Sequence, residues 1–138
     1  LEKSFGVWSA EFTQDRTPGM TGMDRWIDWS RDNFIGHEAA SKERSGGDVP
    51  QQLVTLEIDA DDADASGYEP IWQNDKRVGF VTSGGYGHYT AKSLAMGLLD
   101  TGVNEEDGPL MVDVVGKRRT ARTLTEAAWD PKGVRIRL

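Results

Sequence analysis

Two apolar runs, Pro70-Ile71-Trp72 and Val78-Gly79-Phe80-Val81-Thr82, flank the polar set Gln73-Asn74-Asp75-Lys76. A link that short allows only a hairpin of antiparallel strands, because a parallel pair needs a crossover of a dozen or more residues. The same economy recurs along the chain. Residues 52–59 alternate Val54, Leu56 and Ile58 with Leu53, Thr55, Glu57 and Asp59, the period of a half-buried strand. Residues 93–99 are short and contain Gly97, which favours strand over a buried helical turn. Residues 109–115 place Leu110, Val112 and Val114 on one face, residues 116–119 read as a turn, and residues 120–125 alternate again. Roughly six strands with no room for helical crossovers predict a mainly β fold, an antiparallel Greek-key-like barrel with an N-terminal arm and one or two short helices. Its expected core includes Val54, Leu56, Ile58, Val78, Phe80, Leu110, Val112 and Val114.

The stretches around these strands are less regular. Asp32 and Asn33 are good caps for a short helix over residues 34–43, stopped by Ser45-Gly46-Gly47-Asp48. Ile27 and Trp29 alternate about Asp28 as in a strand with one buried face, and Phe5, Trp8, Phe12, Trp26 and Trp29 read as core or domain-packing groups. Ser83-Gly84-Gly85-Tyr86-Gly87 reads as a tight loop leaving the hairpin, or as a segment where Ser83, Tyr86 and backbone amides edge a ligand channel. Residues 1–45 are expected to form an arm or linker from a preceding domain, and residues 46–138 the barrel.

Composition removes several classes of function. The 138 residues carry 16 Lys and Arg against 23 Asp and Glu, a net charge of −7, which argues against nucleic acid as a partner. Cysteine is absent, so a thiolate nucleophile and a cysteine-ligated zinc site are excluded. No apolar run approaches the roughly 20 residues that span a bilayer, so no membrane partner is expected and a cytoplasmic location is. The acidic run at residues 59–64 lacks the glycine and the glutamate that a calcium loop needs at its sixth and twelfth positions, and reads as a solvated loop. Gly85 and Gly87 lack the third glycine of a dinucleotide fingerprint, and Ser83 is not in a G-x-S-x-G elbow. His37 and His88 have no carboxylate at metal spacing, so no metal site is expected. Arg135 and Arg137 alternate with Val134 and Ile136, so both guanidinium groups are expected on one face of a terminal strand. Such a pair suits a carboxylate, with surface salt bridging as the plainer alternative.

Three ordered blocks carry a family resemblance. Leu1-Glu2-Lys3, Trp8, Thr17-Pro18-Gly19-Met20 and the run from Asn33 to Ala39 form the first. Glu69-Pro70-Ile71, Val78 to Gly85 and Lys92 to Gly97 form the second, and Trp129-Asp130-Pro131-Lys132-Gly133-Val134-Arg135 the third. Together they resemble the C-terminal barrel domain of the aminomethyltransferase family, which includes the glycine cleavage T-protein. The Leu-Glu-Lys opening followed by a tryptophan leans toward the folate-linked domains of dimethylglycine and sarcosine dehydrogenases, with demethylases of sulfonium compounds also open as relatives.

The resemblance implies one domain of a longer polypeptide, and the start at Leu1 accords with that expectation. It further implies tetrahydrofolate as cofactor, preceding folate-binding domains of the same polypeptide as partners, and transfer of a one-carbon unit from a methylated amine by the whole enzyme. Residues near the C-terminal end help line the folate site in that family; Arg135 matches the motif's arginine, and Arg137 lies outside it. The family's catalytic acid and most pterin contacts precede Leu1, so no catalytic residue is assigned here and the 138 residues alone are expected to be inactive. A non-catalytic β-barrel for protein interaction is the alternative.

Overall fold

Six strands close into an antiparallel barrel in the order β1-β4-β3-β2-β5-β6. They are β1 (Gln51–Ile58), β2 (Pro70–Gln73), β3 (Lys76–Gly87), β4 (Lys92–Asp100), β5 (Leu110–Val114) and β6 (Lys117–Leu124). The computed structural model describes residues 1–46 and 49–137. Two short helices precede the barrel, α1 (Pro18–Thr21) and α2 (His37–Arg44). The mainly β barrel expected from the alternating segments is therefore the fold observed.

Both two-residue hairpin links use left-handed backbone. Gln73 pairs with Lys76, leaving Asn74 and Asp75 at φ 48° and 60°, and Val114 pairs with Lys117 around Val115 and Gly116 at φ 49° and 76°. Positive φ at both central residues matches the right-handed twist of the flanking strands, which is why turns this tight adopt it. The second turn is thus shorter than the expected 116–119 and begins one residue earlier.

Strand β3 departs furthest from a simple alternation. Ile71 pairs with Gly79 and Trp72 with Arg77, so Val78 is an extra residue; Val81 pairs with Gly97 and Ser83 with Met96, so Thr82 is another. Each extra residue reverses which side the following residues face. Hence Val78 lies in the core while Phe80, two positions on, turns outward and is only partly buried, stacked on Tyr68 with ring centroids 6.4 Å apart. Val54 also packs against the core without being fully buried.

The expected glycine loop at residues 83–87 is instead the second half of β3. Glycine here answers crowding: a Cβ on Gly84 would sit 2.1 Å from the Ala65 carbonyl oxygen, and one on Gly87 2.5 Å from Thr90 Oγ1. The residue above Gly84, Ala65, follows the acidic run, whose Asp59, Asp61 and Asp62 are exposed as expected while Asp64 is partly buried. Ala65 is buried, Asp64 accepts a hydrogen bond from Ser93 Oγ at 2.7 Å, and Asp62 pairs with Lys117 and Arg119.

Cross-strand pairing assigns the faces of the sheet. Val81, Ala95, Leu99, Leu56 and Ile58 point inward with Ile71, Leu110, Val112 and Val114. On the other side of the same strands, Phe80 lies opposite Leu98, Ser83 opposite Met96, and these are matched on β1 by Leu53 and Thr55. Yet every β4 residue from Ser93 to Leu99 is buried. The outer face is covered by the arm: α1 packs on β1, the Leu1 side chain reaches Gly85, and Glu11 bonds Ser83.

Three local expectations fail within that arm and at the C-terminus. Residues 27–29 form no strand; a 3-10 turn at Asp24–Trp26 precedes them, and the Trp29 indole donates to the Asp24 carbonyl at 3.1 Å. Helix α2 starts three residues later than expected, at His37, because Gly36 takes φ 90° and serves as its N-cap in place of Asp32 or Asn33. Ser45 closes it by donating to the Ser41 carbonyl, whereas Gly47 and Asp48 lie outside the described residues. Arg135–Arg137 is a 3-10 turn and not a strand, so its two arginines diverge around the axis instead of sharing a face.

Candidate functional site

The turn between β3 and β4 is organised by a residue far away in sequence. Glu2 Oε1 accepts the backbone N–H of Tyr89 at 2.9 Å and of Thr90 at 2.8 Å, which replaces the partners a tight turn would otherwise find in water. The Thr90 amide bond chiefly holds the Glu2 carboxyl below its ordinary value, against a smaller opposing effect of burial. Gly87 leaves the space in which the Glu2 side chain passes.

The C-terminal segment docks beside it. Trp129 N–H donates to the Glu2 carbonyl at 2.9 Å, and the Trp129 ring meets Tyr89 edge-on with centroids 5.0 Å apart. Asp130 takes φ 44° and begins a turn that Gly133 completes at φ 64°. Its Oδ1 accepts from Val134 N at 2.8 Å, and its Oδ2 from Arg135 N at 3.2 Å and from Lys3 Nζ at 3.0 Å. The Lys3 ammonium also donates to the Asp130 carbonyl and lies between two aromatic faces, 5.2 Å from the Trp129 centroid and 5.8 Å from that of Phe5. Burial raises the Asp130 carboxyl, but Lys3 and the amides of Val134 and Arg135 outweigh it and hold the group below the usual aspartate value.

Arg135 stands at the edge of this cluster. Its backbone is held by Asp130, and Nη1 donates to the Tyr89 hydroxyl at 3.0 Å, leaving the side chain exposed. Arg137 is exposed on the same turn, and neither arginine has a carboxylate partner among the described residues. Tyr86 belongs to the same hairpin end, half-exposed and edge-on to His88 at 5.1 Å. It borders an open groove of about 730 Å³ whose cations are already paired: Glu57 binds Lys92 at 2.6 Å and Arg122 at 2.9 Å. Burial acts to raise the Glu57 carboxyl, and those two cations more than reverse it.

Ser83 lies apart from Arg135, under the arm. Its hydroxyl donates to Glu11 Oε1 at 2.6 Å, while Glu11 Oε2 accepts from Val7 N at 2.6 Å; the Glu11 side chain is fully buried. The structure therefore joins Arg135 with Tyr89, Trp129, Asp130, Lys3 and Glu2, leaves Tyr86 on the separate groove lined by Glu57 and Lys92, and directs Ser83 into the seam between arm and barrel. Among these, Glu2, Lys3, Trp129 and Asp130 stand in the two terminal motif blocks, and that placement is the signal that marks them. Glu11 and Tyr89 have no such mark. The two histidines lie on separate elements, His37 edge-on to Phe34, and the described residues hold no cluster of three potential metal ligands.

This arrangement has known relatives. The sequence pattern of the glycine cleavage T-protein C-terminal barrel domain matches residues 51–130, more than half of the chain. Mitochondrial dimethylglycine dehydrogenase of Homo sapiens is 33% identical over 139 residues, a match covering 100% of this chain and 16% of that protein. An aminomethyltransferase of Desulfitobacterium hafniense is 30% identical over 133 residues, covering 96% of this chain and 36% of that protein. The crystal structure of glycine cleavage system aminomethyltransferase T from Bartonella henselae shares the fold with a TM-score of 0.78 at 20% identity, over 92% of this chain and 36% of that one. The chain thus spans only a minor part of the length of these relatives. From the pattern match over more than half of its length, the chain belongs to the family of the glycine cleavage T-protein C-terminal barrel domain.

Proposed function

We propose that the chain is the C-terminal barrel of a larger tetrahydrofolate-dependent enzyme that takes a one-carbon unit from a methylated amine, with residues 1–45 as the arm from a preceding folate-binding domain and residues 46–138 as the barrel. The observation that carries this reading is the exposed Arg135 guanidinium, backbone-fixed by Asp130 and steadied by Tyr89. Its chemistry fits the group: a planar cation with free donors beside the aromatic faces of Tyr89 and Trp129 suits the carboxylates and flat rings of a folate. Tetrahydrofolate, when bound, supplies the nitrogen that receives the one-carbon unit. Arg135 would hold a glutamyl carboxylate, Arg137 would border it, and Ser83 would act indirectly by fixing the arm through Glu11. No residue of this chain is assigned the chemical step, so the 138 residues alone should not turn over. The cytoplasm accords with the lack of cysteine, while the dehydrogenase relatives carry a mitochondrial designation.

Arg135→Ala in the polypeptide that carries this chain tests the reading. It should weaken tetrahydrofolate binding by about 1 to 3 kcal/mol, the worth of one charge-assisted contact. The salt dependence of affinity should shrink in the variant, because the lost attraction is between charges. Isothermal titration at two salt concentrations reads both effects, and equal affinities for wild type and variant would refute the role of Arg135.

A second reading, a barrel for protein interaction, draws on Phe5, Trp8 and Trp26, which are 64%, 80% and 73% exposed. Full folate affinity after Arg135→Ala, together with loss of a protein partner after Trp8→Ala, would favour it.

A further inference from the structure

We propose that Lys3 and Asp130 are positioning residues for Arg135, so that the segment entering the barrel from the arm sets where the guanidinium points. This rests on the folate role of Arg135 given above. Arg135 is held at two points. Its amide donates to Asp130 Oδ2 and its guanidinium to Tyr89. Each of those supports leads back to the start of the chain: Asp130 to Lys3, and the Tyr89 amide to Glu2.

The Asp130 side chain is only 6% exposed and that of Lys3 16%. A carboxylate so enclosed needs a counter-charge, and Lys3 is the cation in contact with it. Removing the ammonium leaves a shielded negative charge with two backbone amides. The physical relief is for the turn to open toward water, and that releases the Val134 and Arg135 amides together. Lys3 Nζ is held by both the Asp130 carboxylate and carbonyl, with the Trp129 and Phe5 rings 5.2 and 5.8 Å away adding cation–π attraction, which favours this position over that of a loose surface lysine. Among the described residues no hydrogen bond joins Lys3 to Arg135; its effect passes through Asp130.

The test uses the polypeptide that carries this chain, with Lys3→Met, Lys3→Arg, Asp130→Asn and Arg135→Ala, singly and with Arg135→Ala added to Lys3→Met. Titration calorimetry gives tetrahydrofolate affinity, and amide hydrogen exchange at Val134 and Arg135 reports the turn without reference to folate. Lys3→Met should lower affinity by about threefold to tenfold, the range expected for contacting residues that act as a unit. Adding it to Arg135→Ala should cost nothing further, and Lys3→Arg should restore most of the loss. Exchange at Val134 and Arg135 should quicken in Lys3→Met and Asp130→Asn while the barrel strands keep their protection.

The outcomes separate two failures. Unchanged affinity in Arg135→Ala defeats the folate reading, and the positioning inference toward folate falls with it. Weakened binding in Arg135→Ala with wild-type affinity and exchange in Lys3→Met leaves the folate reading standing and overturns the inference. Additive losses in the double variant overturn it too, because Lys3 would then act on folate independently. Should Asp130→Asn not fold, the two Lys3 variants carry the test.

Discussion

The hairpin of β5 and β6 and the hairpin of β3 and β4 belong to one closed sheet, yet they are built to different rules. In β5, Leu110, Val112 and Val114 face the core while Met111 and Asp113 are half-buried, and β6 contributes only Ala121 to the buried set. Outward on β6, Arg118 pairs with Asp75 and Asp113 and Arg122 with Glu57, while Lys117 and Arg119, opposite Val114 and Val112, pair with Asp62. In β4 both faces are buried, and the outward residues Leu94, Met96 and Leu98 are as apolar as the inward ones. One sheet thus has a solvent face on one side of the barrel and an inter-segment face on the other. The arm is part of what holds β3 and β4, and it is joined to them by polar groups as well as by oil.

The sharpest way to break this comparison is to truncate an outward residue. Leu98→Ala should cost about 2 to 5 kcal/mol in denaturant unfolding, as for a deletion in an enclosed core, and so match Ile71→Ala on the inner face. A change within about 0.5 kcal/mol, typical of surface positions, would show that the arm does not seal β4.

A smaller effect is expected at the polar seam. Glu11→Ala removes the acceptor for both Val7 N–H and the Ser83 hydroxyl and should destabilise by about 1 to 3 kcal/mol, the range for leaving buried donors unpaired. Arg122→Ala, on the outward face of β6, should change stability by no more than about 0.5 kcal/mol in the same assay. Equal effects for the two would erase the distinction between covered and solvated faces.

The smallest effect should come from acid. Glu2 and Asp130 both have carboxyls held below their ordinary values of 4.5 and 3.8 in the folded chain. The folded form then binds protons less readily than the unfolded one, so their stabilisation is complete above those values and is lost as the pH falls through the lower, folded ones. Thermal unfolding of wild type and Asp130→Asn should therefore differ near neutrality and converge as the pH drops below 3.8. A gap that stays constant with pH would mean that the Asp130 charge does not support the terminal clasp.

Legibility in the sequence follows the same division between the two hairpins. The pattern of residues 110–114 is read correctly because one face is wet, so hydrophobicity reports direction. In β3 the extra residues Val78 and Thr82 each reverse direction without altering composition, and period-two reasoning places Phe80 on the wrong side. The glycines at 84 and 87 read as a loop because close approach by Ala65 to the first and Glu2 to the second depends on distant chain that no local window contains. At the site, Arg135 stands out as a cation in a motif. Its supports do not: Tyr89 is an ordinary turn residue until Glu2 and Trp129 are folded against it. The strand expected for Arg135 and Arg137 fails for a local reason, since Asp130 captures the amides four and five residues on and winds them into a turn.

The clasp between Lys3 and Asp130 joins residues 127 positions apart, and that distance governs the order in which the domain can assemble. A hairpin such as β3 and β4 closes a small loop and forms early; uniting the two extremities means confining almost the whole chain, which costs more entropy and rewards it only at the end. During synthesis the pin on Arg135 is consequently absent until Asp130 has emerged, however complete the strands before it. The guanidinium is thus aimed only once the barrel has been written out and closed, which makes the direction of Arg135 a late report on the folding of everything that precedes it.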